Sequence, residues 1–244
     1  MHHFFVAKDQ VNGLEVRLAP PQVHQVVRVL RLRAGDRIVV LDGLGNELEA
    51  ELVHVSPTGV TARGTAWRPS PREPRVHVAL ALGLLKGERM EWAIQKGTEV
   101  GVSRFIPVYC ARSVVRLTDP RAAEKRARWQ RVALEAAEQC RRGCVPTVDL
   151  PTPFDAVLGA TSAFHLTLIA VESGGTPLRA VMEAARSETR QVLLLVGPEG
   201  GFAAHETRAA LDAGLRPVSL GARVLRAETA AIVGTALLLH HLDE

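Results

Sequence analysis

The feature that most constrains this chain is a change of hydrophobic period across Arg68-Pro69-Ser70-Pro71-Arg72-Glu73-Pro74. Three prolines in six residues withdraw amide donors and disfavour helix in the residues before them, so the segment reads as a stiff linker. Ahead of it the apolar residues recur with period two, and behind it strand-like runs alternate with helix-like ones. The chain is therefore expected to divide into a small β unit, residues 1–70, and a medium α/β unit, residues 74–244.

In the first part, Ile38-Val39-Val40-Leu41 runs into Asp42-Gly43-Leu44-Gly45-Asn46, and residues 47–52 alternate polar with apolar. Ser56-Pro57-Thr58-Gly59 turns the chain back toward Val60 and Ala62. This predicts a small barrel of short antiparallel strands with one helix over about residues 21–32. Gly43-Leu44-Gly45 lacks the third glycine of a dinucleotide fingerprint and sits in a hairpin, so that reading is rejected. In the second part, residues 76–85 suit a strand buried on both faces. Helix is expected at 90–99 with a stop at Gly101, then strand at 105–108 and a long amphipathic helix at 122–140. Trp129, Val132, Ala133, Ala136, Ala137 and Cys140 share one face of that long helix. Strands follow at 166–171, 191–196 and 218–220, with helices at 178–185, 204–213 and 227–242. A mostly parallel sheet is the expected architecture.

Charge narrows the partners. Net charge is +4, carried by 26 Arg against 4 Lys, which excludes an acidic disordered chain. Codon usage is a dull source of that Arg excess, since Asn and Tyr are scarce as well, but it does not set its position. Residues 1–72 carry +2, residues 73–150 carry +5 and residues 151–244 carry −3. Nine basic residues stand against four acidic ones between Arg112 and Arg142, which favours contact with a polyanion. Three cysteines, Cys110, Cys140 and Cys144, are too few and too odd in number for a disulfide framework. Met1-His2-His3-Phe4-Phe5-Val6 has none of the regions of a signal peptide. The longest apolar run, 229–239, is about half of the ~20 residues a membrane span needs. A soluble, reduced, cytoplasmic protein with no membrane partner is expected.

Two loops carry the best chemical signals. Leu193-Leu194-Leu195-Val196 ends in Gly197-Pro198-Glu199-Gly200-Gly201-Phe202, three glycines around one carboxylate at the carboxyl end of a buried strand. Glycine lets backbone amides approach a ligand, and this sheet edge is where α/β proteins bind small molecules. It is not a phosphate P-loop, because no Gly-Lys-Ser/Thr ending follows. The second loop is Ser219-Leu220-Gly221-Ala222-Arg223-Val224-Leu225-Arg226-Ala227-Glu228-Thr229-Ala230. If strands 191–196 and 218–220 are neighbours, Arg226, Glu228 and Thr229 face one cavity with Glu199, or Arg226 simply pairs with Glu199 or Glu228. Weaker patterns fall behind. Cys140-Arg141-Arg142-Gly143-Cys144 lacks further ligands for a metal, His205-Glu206 lacks the second His of a zinc protease, and no Gly-x-Ser-x-Gly elbow exists.

Taken in order, these blocks resemble the bacterial RsmE-type 16S rRNA (uracil-N3) methyltransferases of the SPOUT class. The matching residues are Val29-Leu30-Arg31 with Gly35-Asp36 and Asp42-Gly43, then Lys86 through Gln95-Lys96-Gly97-Thr98-Glu99-Val100-Gly101-Val102. Arg112-Ser113, Arg128-Trp129-Gln130 through Ala136-Ala137-Glu138-Gln139, and the two loops complete the set. Gly97, Val100, Cys140 and Ala227 depart from the family's usual Ala, Leu, Ser and Thr, and His2-His3 occupies a start that is often Arg-rich.

The resemblance implies a PUA-like RNA-binding barrel followed by a SPOUT domain whose C-terminal segment forms a trefoil knot, acting as a homodimer. It implies S-adenosylmethionine as cofactor and, as partner, 16S rRNA or the small ribosomal subunit, with uridine 1498 as the family target. Carried over, Leu195, Val196, Gly197, Pro198, Glu199, Gly200, Gly201, Leu220, Gly221, Val224, Leu225, Arg226, Thr229 and Ala230 bind the cofactor. In the mechanism this implies, Arg226 is expected to stabilise the imide anion that develops on uracil N3, with Glu199 or Thr229 orienting the base or guiding its proton away. Arg31, Arg33, Lys86, Arg112 and Arg116 are candidate RNA contacts. A sulfonium methyl is electrophilic by itself, so this chemistry calls for no metal. Two alternatives stay open: a non-catalytic RNA-binding protein with a vestigial ligand pocket, and an unrelated α/β enzyme for a phosphorylated small molecule.

Overall fold

The computed structural model describes residues 1–185 and 188–243. Glu244, the last residue of the expected second unit, lies outside the described residues. The chain divides into two compact units, Met1–Glu73 with Ala137–Val145, and Pro74–Ala136 with Pro146–Glu244.

The first unit contains β1 (His2–Phe5), β2 (Val11–Asn12), β3 (Glu15–Arg17), α1 (Pro20–His24), β4 (Arg37–Leu41), β5 (Asn46–Ser56) and β6 (Gly59–Pro69). They form one sheet in the order β1-β4-β5-β6-β3-β2. Phe4 of β1 and Val16 of β3 join Ile38, Val40, Leu48, Leu52 and Val60 in a single core, so the two sides of the sheet curl around the same centre. The strands were expected to be antiparallel throughout, yet β1 runs parallel to β4, with Phe4 opposite Val40. The intervening β2, β3 and α1 supply the crossover that a parallel pair needs. The expected helix at 21–32 is shorter. After His24 the chain widens into a π-turn over Gln25–Val29, closed by the Leu30 N–H on the Gln25 carbonyl. Val26, Val27 and Val29 are β-branched and disfavour a regular α-turn, and Arg31 ends the element in the left-handed region.

The proline segment is also less of a linker than its composition implies. β6 continues through Arg68, paired to Glu47, and ends at Pro69. β3 reaches only as far as Arg63, so no ladder needs the amide that Pro69 lacks. Glu73 then accepts hydrogen bonds from the Arg142 guanidinium and from the backbone N–H groups of Gly143 and Cys144. The Cys140–Cys144 region therefore works as a structural arm of this unit, and Gly45 donates to the Gly143 carbonyl beside it.

The second unit contains β7 (His77–Gly83), α2 (Arg89–Val100), β8 (Arg104–Tyr109), α3 (Asp119–Cys140, whose last turn belongs to the first unit) and β9 (Thr147–Val148). There follow β10 (Thr152–Pro153), α4 (Phe154–Gly159), β11 (Leu166–Ala170), β12 (Thr176–Pro177), α5 (Leu178–Glu183), β13 (Gln191–Val196), α6 (Ala204–Asp212), β14 (Arg216–Ser219) and α7 (Ala227–Leu242). The sheet is parallel throughout and ordered β10-β8-β7-β13-β11-β14-β12, with β9 on β8. Its strands are buried on both faces. Leu80, Leu82, Leu194 and Val196 pack on one side with α2 and α7, while Ala79, Ala81, Leu193 and Leu195 pack on the other with Phe154 and Ala210. That double burial produces the unbroken apolar runs of β7 and β13. The adjacency considered for β13 and β14 does not occur: β11 lies between them and pairs with both. No helix among the described residues is long and apolar enough to cross a membrane.

Candidate functional site

The two glycine-containing loops nevertheless open into one cleft of about 750 Å³ at the carboxyl edge of the sheet. The strand between them adds a third wall, Val171-Glu172-Ser173 after β11, and Arg89 and Arg112 close the rim. Val196, Gly197, Pro198, Glu199, Gly200, Gly201, Leu220, Gly221, Val224, Leu225, Arg226 and Ala230 all line it. Leu195 and Thr229 do not. Leu195 points into the core on the other face of the sheet, and Thr229, half-buried on α7, lies outside the lining.

The β13 loop is held at three points. Gly83, the last residue of β7, lets Pro198 approach so closely that a Cβ there would lie 2.5 Å from the Pro198 nitrogen. Gly201 adopts φ +66° and donates to the Pro198 carbonyl at 2.8 Å. Arg112 donates from Nη1 to the Gly200 carbonyl at 3.0 Å. Glu199 is anchored as well, accepting the Lys86 N–H at 3.0 Å and Arg89 Nη1 at 3.2 Å. Burial pushes its carboxyl up, but the backbone donors of Lys86 and Glu199 and the Arg89 guanidinium outweigh that and hold it below the usual carboxylate value. The stabilisation this anchor gives is present above the unfolded carboxylate value and is lost as pH falls through the lowered one.

Arg89 thus takes the pairing with Glu199 that the alternative reading gave to Arg226, and nothing in its helical context marked it. Arg226 is exposed, stands at the N-cap of α7 and forms no ion pair among the described residues. Glu228 is 6% exposed and faces the cleft, with Oε1 4.0 Å from Arg89 Nε. Its Oε2 has no hydrogen-bond partner among the described residues.

The basic run between Arg112 and Arg142 is partly structural. Arg112 holds Gly200, Arg126 the Val148 carbonyl, Arg128 Glu91 and Arg142 Glu73, which accounts for four of its nine cations. Arg116 remains exposed, on a smaller crevice shared with Tyr109 and His205. Lys86 keeps its side chain in solvent, as do Arg31 and Arg33 in the first unit. Glu206, beside His205, is buried and accepts the N–H groups of Ala111 and Ala203, so it caps α6 and ties it to the loop after β8. Burial, reinforced by Glu206, pushes the Cys110 thiol up to about 12. Native Cys110 is expected to resist alkylation at mildly alkaline pH and to react only on unfolding, read by mass spectrometry. Rapid labelling of the native protein at Cys110 would contradict its burial.

Residues 71–239 match the RNA methyltransferase domain and residues 19–63 the RNA methyltransferase PUA domain. Fold and site together define an α/β methyltransferase of the SPOUT class with a PUA-like N-terminal unit. The chain is 35% identical over 250 residues to ribosomal RNA small subunit methyltransferase E of Bacillus subtilis, covering 100% of this chain and 98% of that one. The protein of that name from Synechocystis is 35% identical over 240 residues, 96% of this chain and 76% of its own. The crystal structure of ribosomal RNA small subunit methyltransferase E from Neisseria gonorrhoeae bound to S-adenosyl methionine superposes with a TM-score of 0.85 at 30% identity, covering 97% and 96% of the two chains. The chain belongs to the ribosomal RNA small subunit methyltransferase E family.

Proposed function

We propose that this protein methylates N3 of a uridine in 16S rRNA of the small ribosomal subunit, uridine 1498 in the family, with S-adenosylmethionine as the methyl donor. The observation that carries the proposal is the convergence of the β11, β13 and β14 loops on one cleft rimmed by arginines. The cofactor fits the residues present. The volume is within the usual ligand range, glycines expose backbone amides along one wall, and Glu172 and Glu199 offset cationic groups. When bound, S-adenosylmethionine supplies an electrophilic methyl on a sulfonium.

Val196, Gly197, Pro198, Gly200 and Gly201 hold its adenosine side, and Leu220, Gly221, Val224, Leu225 and Ala230 enclose the remainder. Glu199 keeps the β13 loop in place through Lys86 and Arg89. Arg226, unpaired at the mouth, stabilises negative charge developing on the base. Because N3 lies on the Watson–Crick edge, the target uridine enters unpaired or flipped out. The knot of the SPOUT class is supported by β13, which inserts between the earlier strands β7 and β11. A homodimer is supported by Ile232, Val233, Ala236 and Leu237, which leave apolar surface open on α7. A ribosomal substrate supports a cytoplasmic location.

The deciding experiment supplies labelled S-adenosylmethionine and small subunits lacking their modifications, then maps the methylated base and atom. Label on N3 of one uridine is expected; no incorporation into any RNA would leave the non-catalytic RNA-binding alternative. Arg31, Arg33, Lys86, Arg112 and Arg116 contact phosphates in this proposal. Log affinity for RNA should fall linearly with log salt, by about 0.7 to 0.9 per phosphate neutralised. Arg31→Ala with Arg33→Ala should flatten that slope, and a salt-independent affinity would return these residues to ordinary solvated surface.

A further inference from the structure

Among the described residues, Glu228 is the one charged group of the cleft with a buried oxygen that meets no donor. Its side chain is 8% exposed, Arg89 Nε stays 4.0 Å from Oε1, and Oε2 meets no donor among the described residues, not even the amides of its own helix. Burying a carboxylate oxygen without a donor is costly, and such groups in native proteins are explained by what they serve. A first-turn acid that merely complemented the helix dipole could do so from solvent. Glu199, the carboxylate expected to handle the proton, is already engaged by the Lys86 amide and Arg89.

We propose that Glu228 is the proton acceptor of the methyl transfer, taking the imide proton from N3 of the target base. The inference rests on the N3 reading above. The N3–H bond breaks and an O–H bond forms at Oε2. The electron pair left on N3 makes the new bond to the methyl carbon as the carbon–sulfur bond breaks, that pair staying on sulfur. The proton then leaves to solvent through the cleft mouth. The other charged groups facing this space are Arg89, Arg112, Arg223 and Arg226, against Glu172 and Glu199. Their positive balance favours the charge that grows on the base, with Arg226 at the mouth and Glu228 two residues further into the helix.

The test uses Glu228→Gln in the full-length protein. Single-turnover methylation of unmodified small subunits should fall by about 10²- to 10⁴-fold. Cofactor affinity by calorimetry should stay within about twofold and the melting temperature should not drop, because only the proton-accepting charge has gone. Glu228→Asp, with a carboxylate set back by one carbon, should keep part of the rate. Subunits reconstituted with 5-fluorouridine, whose N3 is more acidic, should restore much of the lost rate to Glu228→Gln while changing the parent protein little. A matching loss of cofactor affinity would make Glu228 a cofactor contact, and a lost rate without rescue would make it structural; either overturns the proposal, as would an unchanged rate. If the parent protein itself places no methyl on N3, the functional reading fails instead.

Discussion

Arg226→Ala is expected to reduce turnover by about 10²- to 10³-fold, the usual cost of removing one preorganised charge donor from a developing anion. Cofactor affinity should change by no more than about twofold, because the cation serves the transition state and the cofactor is held by backbone groups. The structure strengthens this expectation. An Arg226 locked to Glu199 or Glu228 would have been a structural residue, and its loss would have loosened the loops. It forms no ion pair among the described residues, while Arg89 takes the anchoring role. Arg89→Ala should therefore behave oppositely, weakening cofactor binding first by releasing Glu199. Titration calorimetry alongside single-turnover rates separates the two variants. Equal losses of rate and cofactor affinity in Arg226→Ala would remove Arg226 from the chemistry.

How much of this was legible beforehand depended on the length of each signal. β13 and α7 have the bounds expected from their apolar runs, and α2 ends at Gly101, whose φ of 113° only glycine adopts freely. β9, β10 and β12 span two residues each, too few to carry a period. The loops after β13 and β14 were found through glycine and charge, but their meeting was tied to the adjacency of two strands that β11 separates. The loop after β11 was missed although Glu172-Ser173-Gly174-Gly175 repeats the pattern of a strand end, a carboxylate and paired glycines. Gly83 was similarly readable, since glycine inside an apolar strand marks close backbone approach. Arg89 was not, because its partner Glu199 lies 110 residues away and nothing local distinguishes it from a solvated helix charge. Leu195 was misassigned because the alternation of a doubly buried strand cannot be phased from apolar residues alone.

The second large effect is expected far from the chemistry in sequence terms, at the proline segment that first divided the chain. Glu73→Ala should destabilise the first unit by about 1–3 kcal/mol, because it removes the carboxylate to which the Arg142 guanidinium, whose side chain is 5% exposed, donates. The same change removes the acceptor of the Gly143 and Cys144 amides, at 2.7 and 3.0 Å. Glu73→Gln keeps an acceptor for those amides while deleting the charge, so it should fall between the two. For a unit of this size each kcal/mol moves the melting temperature by about 4–8 °C, so the loss should be plain in a thermal scan. Below the new transition, cofactor affinity should be unchanged, because every residue lining the cleft belongs to the second unit. RNA affinity should fall with the first unit as it unfolds. A melting curve that Glu73→Ala leaves in place would show that the arm is held by other contacts, and that Cys140 to Cys144 contributes less to this unit than its position indicates.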